Sequence, residues 1–150
     1  MGIFRGQGAT EYLVLLAVVL IVALVSVALL GFFPGMASDA RITQSQSYWR
    51  GQAQPFAIQD ASLSGPTGQF SVQNMNANPM TLVNLSVGGV AFSGTGNGSF
   101  GAGEIKTVTT TVPNCASGSI YDLNVTIAYK TSAGISNTEY GTKNLVGKCS

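Results

Sequence analysis

Residues 12–30 read YLVLLAVVLIVALVSVALL, nineteen consecutive positions without a charge. As a helix rising about 1.5 Å per residue, such a run covers roughly 28 Å, close to the full hydrocarbon core of a bilayer. No polar face interrupts it apart from Ser26, so the segment is hydrophobic all round and needs lipid or other apolar helices about it. In a chain of 150 residues there is room for one ordinary domain and one long helix. The remainder is too small to wrap this helix on every side, which argues against the central helix of a soluble fold.

Beyond the apolar run, Pro34 stands between Gly31 and Gly35. It lacks an N–H and disfavours helical geometry at Phe33, so a kink or a short unwound segment is expected there. Residues 36–54 then read as an amphipathic helix ending before Pro55. Ile42, Trp49 and Phe56 recur every seven residues with Ala53 beside them, and the other face is rich in Ser, Thr and Gln. Trp49 is expected to be a packing anchor. From residue 55 onward, short β-prone runs alternate with Gly, Asn, Ser and Pro, as in sandwiches and small barrels. Strands are expected at residues 56–63, 69–74, 80–87, 90–93, 105–112, 119–129 and 135–146. In the sixth of these, Leu123, Val125, Ile127 and Tyr129 alternate with Asp122, Asn124, Thr126 and Ala128, the signature of a strand buried on one face. The expected fold is α+β: a long N-terminal hydrophobic helix, kinked near Pro34, followed by a mainly antiparallel β-sandwich head at residues 55–150.

Several function classes lose their chemical basis in this sequence. The formal net charge of +1 and the absence of clustered Lys and Arg give no footprint for nucleic acid. There is no histidine, which removes the commonest general base and the commonest transition-metal ligand. The acids Glu11, Asp39, Asp60, Glu104, Asp122 and Glu139 are scattered singly. No catalytic, metal or cofactor site is expected from them, and the chain is read as a non-enzyme. Residues 96–101 satisfy the G-x-G-x-x-G spacing, but a Thr- and Val-rich strand follows where a dinucleotide site needs a helix. A flexible hairpin tip in the Gly-rich stretch 93–103 is the expectation. Cys115 and Cys149 match no zinc spacing. They read as a disulfide if the domain is outside the cell, or as two buried thiols. Asn84, Asn97 and Asn124 each open an N-x-[ST] sequon and are candidate glycosylation sites on an exported surface, Asn97 foremost because its segment is the most loop-like.

The amino end has an unusual order. Residues 1–6, MGIFRG, are followed by QGATEYLVL, so a carboxylate, Glu11, stands just before the membrane-length run. A charge at the centre of a bilayer helix costs at least about 2.5–3.5 kcal/mol, and Glu11 therefore needs the interface or a partner. An ordinary secretory signal is cut after its apolar stretch. The pattern here resembles the class III signal peptide of archaeal type IV pilin-like proteins, in which Gln, any residue, Ser, any residue, Glu, three of any kind and Leu follow one another. Gln7, Glu11 and Leu15 match it, and Ala9 stands in place of Ser.

The resemblance implies cleavage between Gly6 and Gln7 by a membrane prepilin peptidase. Residues 1–6 would be a leader, and the mature chain, beginning at Gln7, would keep its hydrophobic helix at residues 7–54. It further implies a single-pass membrane protein that a pilus assembly machinery turns into a homopolymeric surface filament. The helices would form its core and the heads its wall. Glu11 lies four residues from the α-amine that cleavage creates and is the candidate assembly residue, through charge pairing between subunits. It can alternatively mark the membrane interface, and cyclisation of Gln7 to pyroglutamate would remove the amine. Two other readings are a monomeric membrane-anchored surface binding protein with a β-sandwich ectodomain, and a secreted domain cut after Ala37.

Overall fold

The computed structural model describes the backbone of residues 3–150 and the side chains of residues 7–30 and 35–150. Met1 and Gly2, the start of the expected leader, lie outside the described residues. One α-helix is followed by antiparallel strands, an α+β chain. It divides into two compact units, Met1–Ala40 and Arg41–Ser150.

The helix, α1, is Ile3–Gly51. Its helical backbone continues through Pro34, so the interruption expected there does not take the form of an unwound turn. The helix stops at Gly51, three residues before the expected end, where Gln52 N–H and Ala53 N–H both donate to Tyr48 O at 2.8 Å. Phe56, which continues the seven-residue apolar spacing of Ile42 and Trp49, opens the first strand, as expected.

The strands are β1 Phe56–Asn74, β2 Met80–Val87, β3 Gly98–Phe100, β4 Ile105–Cys115, β5 Ile120–Leu123, β6 Val125–Lys130, β7 Ser136–Tyr140 and β8 Leu145–Lys148. At about 3.3 Å per residue a straight strand as long as β1 would hold its flanks some 60 Å apart. Yet Met75 N–H donates to Pro55 O at 2.8 Å, and Gln59 Nε2 donates to Gln73 Oε1 at 2.7 Å. The element therefore doubles back, with Gly65 at its middle in the left-handed region, and contains the two strands expected at residues 56–63 and 69–74. Its second half pairs antiparallel with β4. A four-stranded sheet runs in the order β3-β2-β6-β7, and β5 pairs with β8.

Two long runs expected as single strands are each split. The run 119–129 breaks at Asn124, which sends β5 to β8 and β6 to β2 and β7; the run 135–146 breaks between β7 and β8. One strand thus serves two sheets, a common way to turn a corner in a sandwich. Residues 90–93 form no strand. Val90 makes an isolated bridge to Val87 around Gly88 and Gly89, too tight a return to start a ladder.

Apolar alternation in β2 changes phase: Met80 and Leu82 are buried, then Leu85 and Val87. The register slips between Leu82 and Asn84, so Val83 is an extra residue that faces out. A β-bulge resets which side chains point inward, and without it half of the strand would expose its apolar set. The core these strands enclose is built from Phe56, Leu63, Phe70, Val72, Leu85, Phe100, Val108 and Ile127, all without solvent exposure. The Phe56 ring meets those of Phe100 and Tyr129 edge-on at 5.4 and 5.8 Å.

The Gly-rich segment is not a flexible tip. Thr95 and Thr109 exchange two backbone bonds of 2.9 Å, so this segment straps the outer edge of β4, and Gly98–Phe100 then joins β2 as β3. A Cβ at Gly94 would stand 1.7 Å from Thr109 O, and one at Gly96 2.3 Å from Thr107 O. Only glycine permits that approach, and the strap covers an edge that would otherwise invite pairing with another chain.

Candidate functional site

Residues 12–30 and the last three turns of α1 are the two places where this chain departs from an ordinary β-domain. In the first, every large apolar side chain from Tyr12 to Leu30 lies between 45 and 69% exposed. None of the segment is buried by the described residues, and it is long and apolar enough to cross a membrane. Ser26 does not disturb it, because its hydroxyl donates to Val22 O, one turn back, at 2.7 Å. That back-bond removes the cost of an unpaired hydroxyl in an apolar setting.

Gln7 and Glu11 both lie on α1 and are solvent-exposed. Four residues apart on a helix, they occupy one face about one turn from each other, so a carboxylate stands within a turn of the position where cleavage at Gly6–Gln7 would create an amine.

The second place is the end of α1, within the unit Arg41–Ser150. Here every third or fourth residue turns inward: Ile42 is half-buried, and Ser45 and Trp49 are buried. Ser45 Oγ donates to Asn144 O at 2.9 Å and accepts from Val146 N–H at 2.8 Å, so one small hydroxyl completes two backbone groups at the start of β8. Tyr48 Oη accepts from Thr142 N–H at 3.2 Å, and Arg50 Nε donates to Gln59 O at 2.7 Å. Arg41 pairs with Asp122, whose other oxygen accepts from Asn144 Nδ2 at 2.8 Å. Arg41 is mostly exposed, and solvent screening leaves such a pair worth little.

Trp49, expected as a packing anchor, is buried against the backbone at Gly141, where a Cβ would fall 2.4 Å from its ring. The seam is flanked by two clefts of about 290 and 270 Å³, both just below the roughly 300 Å³ at which small-molecule sites begin. Among the described residues no three acidic or Cys side chains converge into a metal-holding group.

The cysteines form a disulfide, Cys115–Cys149, with Cα atoms 5.7 Å apart. It ties the end of β4 to the residue after β8, and Ser150 N–H then donates to Leu63 O at 2.8 Å. The three sequons differ in access. Asn97 and Asn124 are exposed, Asn97 beside the strap and Asn124 at the break between β5 and β6. Asn84 is half-buried in β2, and its Oδ1 is buried without a hydrogen-bond partner.

Sequence reasoning missed two residues. Ser45 looked like part of the polar helix face, although its position between Ile42 and Trp49 was a usable signal. Glu139 looked like one more scattered acid, yet it is buried in β7. Its Oε2 accepts from Phe56 N–H at 3.1 Å, and burial pushes its carboxyl up to about 7. No protein-family model matches this chain, and no curated protein matches it. Functional inference therefore rests on its residues and their geometry.

Proposed function

We propose that this chain is the structural subunit of an extracellular filament similar to archaeal type IV pili, and not an enzyme. A prepilin peptidase cuts between Gly6 and Gln7, and the mature protein waits in the membrane on its apolar helix. An assembly machinery then transfers it into a homopolymer in which residues 12–30 pack among their copies. The observation that carries this reading is an uncovered apolar helix preceded by Glu11 within the Gln7, Glu11, Leu15 spacing. Apolar helices in lipid gain little further hydrophobic energy by associating, so packing and polar pairing must favour assembly. Glu11 neutralising the new α-amine of a neighbour supplies such a pairing. Repetition of one contact that does not close into a ring produces a helical polymer. The disulfide and the two accessible sequons suit an exported head.

N-terminal sequencing of protein recovered from the cell surface, combined with electron microscopy of the same material, tests the reading. A chain starting at Gln7 within filaments is the expected result. A start at Ser38 in dispersed protein would make it a secreted domain, and an intact Met1 on a dispersed membrane species would make it a simple anchored receptor. Glu11→Gln is expected to leave cleavage intact while lowering filament yield.

A further inference from the structure

We infer that Glu139 is a protonation-dependent latch that holds β7 and the start of β1 against the end of α1, closed when the carboxyl is neutral and loosened when it ionises. The inference is independent of whether the chain forms filaments.

Glu139 sits opposite Ile127 of β6 in the β6–β7 ladder, on an edge strand whose other residues are exposed. Its side chain alone turns inward. One oxygen receives the Phe56 N–H at 3.1 Å; the other, Oε1, is buried with no partner. Two residues further on, the Gly141 backbone carries the ring of Trp49, whose Nε1 is also buried without a partner. The acid therefore lies where three elements meet: β7, the first residue of β1, and the segment that grips the helix end.

Among the described residues no cation pairs with it. The titratable and charged groups on the elements packed here are Tyr129 and Lys130 of β6, the exposed Tyr140 of β7, Tyr48, Arg50 and the Asp122-paired Arg41 at the end of α1, Asp60 of β1, and Lys143 after β7. Arg50 is committed to Gln59 O and Tyr48 to Thr142 N–H, while Lys130, Asp60 and Lys143 face solvent. Burial is the main influence on the carboxyl, opposed only by the single Phe56 N–H. A neutral acid with one satisfied oxygen is tolerable in such a place; a carboxylate with one donor and no counter-charge is not.

The direction of the pH effect follows. Because the folded carboxyl titrates at about 7 and not at its ordinary 4.5, the folded state holds a proton that the unfolded chain has already lost between those values. The contribution of Glu139 to stability is fully present below the lower value, is lost as pH rises across that window, and changes no further above it.

Trp49 is the one tryptophan of the chain and lies against Gly141, two residues beyond Glu139, so its fluorescence reports on the segment the latch holds. In detergent-solubilised full-length protein, the emission of the folded state is expected to shift with a midpoint near pH 7, and the shift is expected to be absent from Glu139→Gln. Chemical denaturation is expected to show a folding equilibrium constant falling about tenfold per pH unit between those two values for the wild type, a fall that Glu139→Gln removes. Identical fluorescence and stability profiles in the two proteins would overturn the inference. Should Glu139→Gln fail to fold, infrared spectroscopy of the wild type decides. A protonated-carboxyl band that persists near pH 6, where ordinary carboxyls are ionised, and vanishes by about pH 8 supports the latch. Its absence near pH 6 refutes it.

Discussion

Residues 12–30 and residues 41–51 belong to the same helix, yet they are stabilised in opposite ways. The first stretch is apolar on every side and none of it is buried by the described residues; its large side chains are about half exposed or more. The second is mostly polar, and it contributes one buried tryptophan, one buried serine and a row of hydrogen bonds to β1, β8 and the loop before β8. Apolar surface left uncovered by a chain must be covered by something outside it, because each Å² removed from water is worth roughly 25 cal/mol. Polar groups that meet a head gain from hydrogen-bond partners there, because a buried group without one costs about 1–3 kcal/mol; Ser45 and Tyr48 have theirs, and Trp49 Nε1 is the exception. One segment is built for an external environment and the other for an internal fit.

Substitutions can separate the two. Val22→Arg places a charge mid-way along the apolar segment, at a cost of at least about 2.5–3.5 kcal/mol in a bilayer. It is expected to weaken retention in the membrane fraction while leaving the denaturant midpoint of the head unchanged. An altered midpoint would mean that the segment contributes to the head after all. Trp49→Ala should do the reverse, lowering the stability of the head by about 3–5 kcal/mol, as removal of a fully buried aromatic does, with membrane retention intact.

The disulfide belongs wholly to the head. Replacing Cys115 and Cys149 together by Ser should cost about 3.5–4 kcal/mol in the chain-entropy model, measured by equilibrium denaturation, and should not change how the protein partitions into membranes. Ser45→Ala is the smallest change. It leaves Val146 N–H without its acceptor and is expected to cost about 1–3 kcal/mol. Ser45→Thr adds a methyl group where the helix and β8 meet closely, and a stability equal to wild type in that variant would show the seam to be looser than the hydrogen bonds suggest.

Much of the architecture was legible because it depends on local rules. The apolar run, the strand at Met80–Val87 and the alternation of Val125 and Ile127 all follow from which residues avoid water and with what period. What misled the sequence reading was context. Glycine marks loops by default, so residues 93–103 read as a free tip. The contrary signal was Phe100, a large aromatic that had to be buried somewhere and is. The split at Asn124 has no local cause, since β5 and β6 continue the same alternation and differ only in which strands lie beside them.

By itself, the order of residues determines that a membrane-length apolar helix precedes a β-rich head, and that an acid stands at the start of that helix. Hydrophobic length and periodicity are properties of neighbours along the chain, so they need no fold to be read. Only the tertiary structure decided that Ser45 completes the backbone of β8, that Gly94 and Gly96 lie flat on β4, that Cys115 reaches Cys149, and that Glu139 is enclosed while other acids face water. Each of these depends on which distant segment arrives opposite a residue, and burial, which sets the energy of a hydroxyl or a carboxylate, is a property of that encounter.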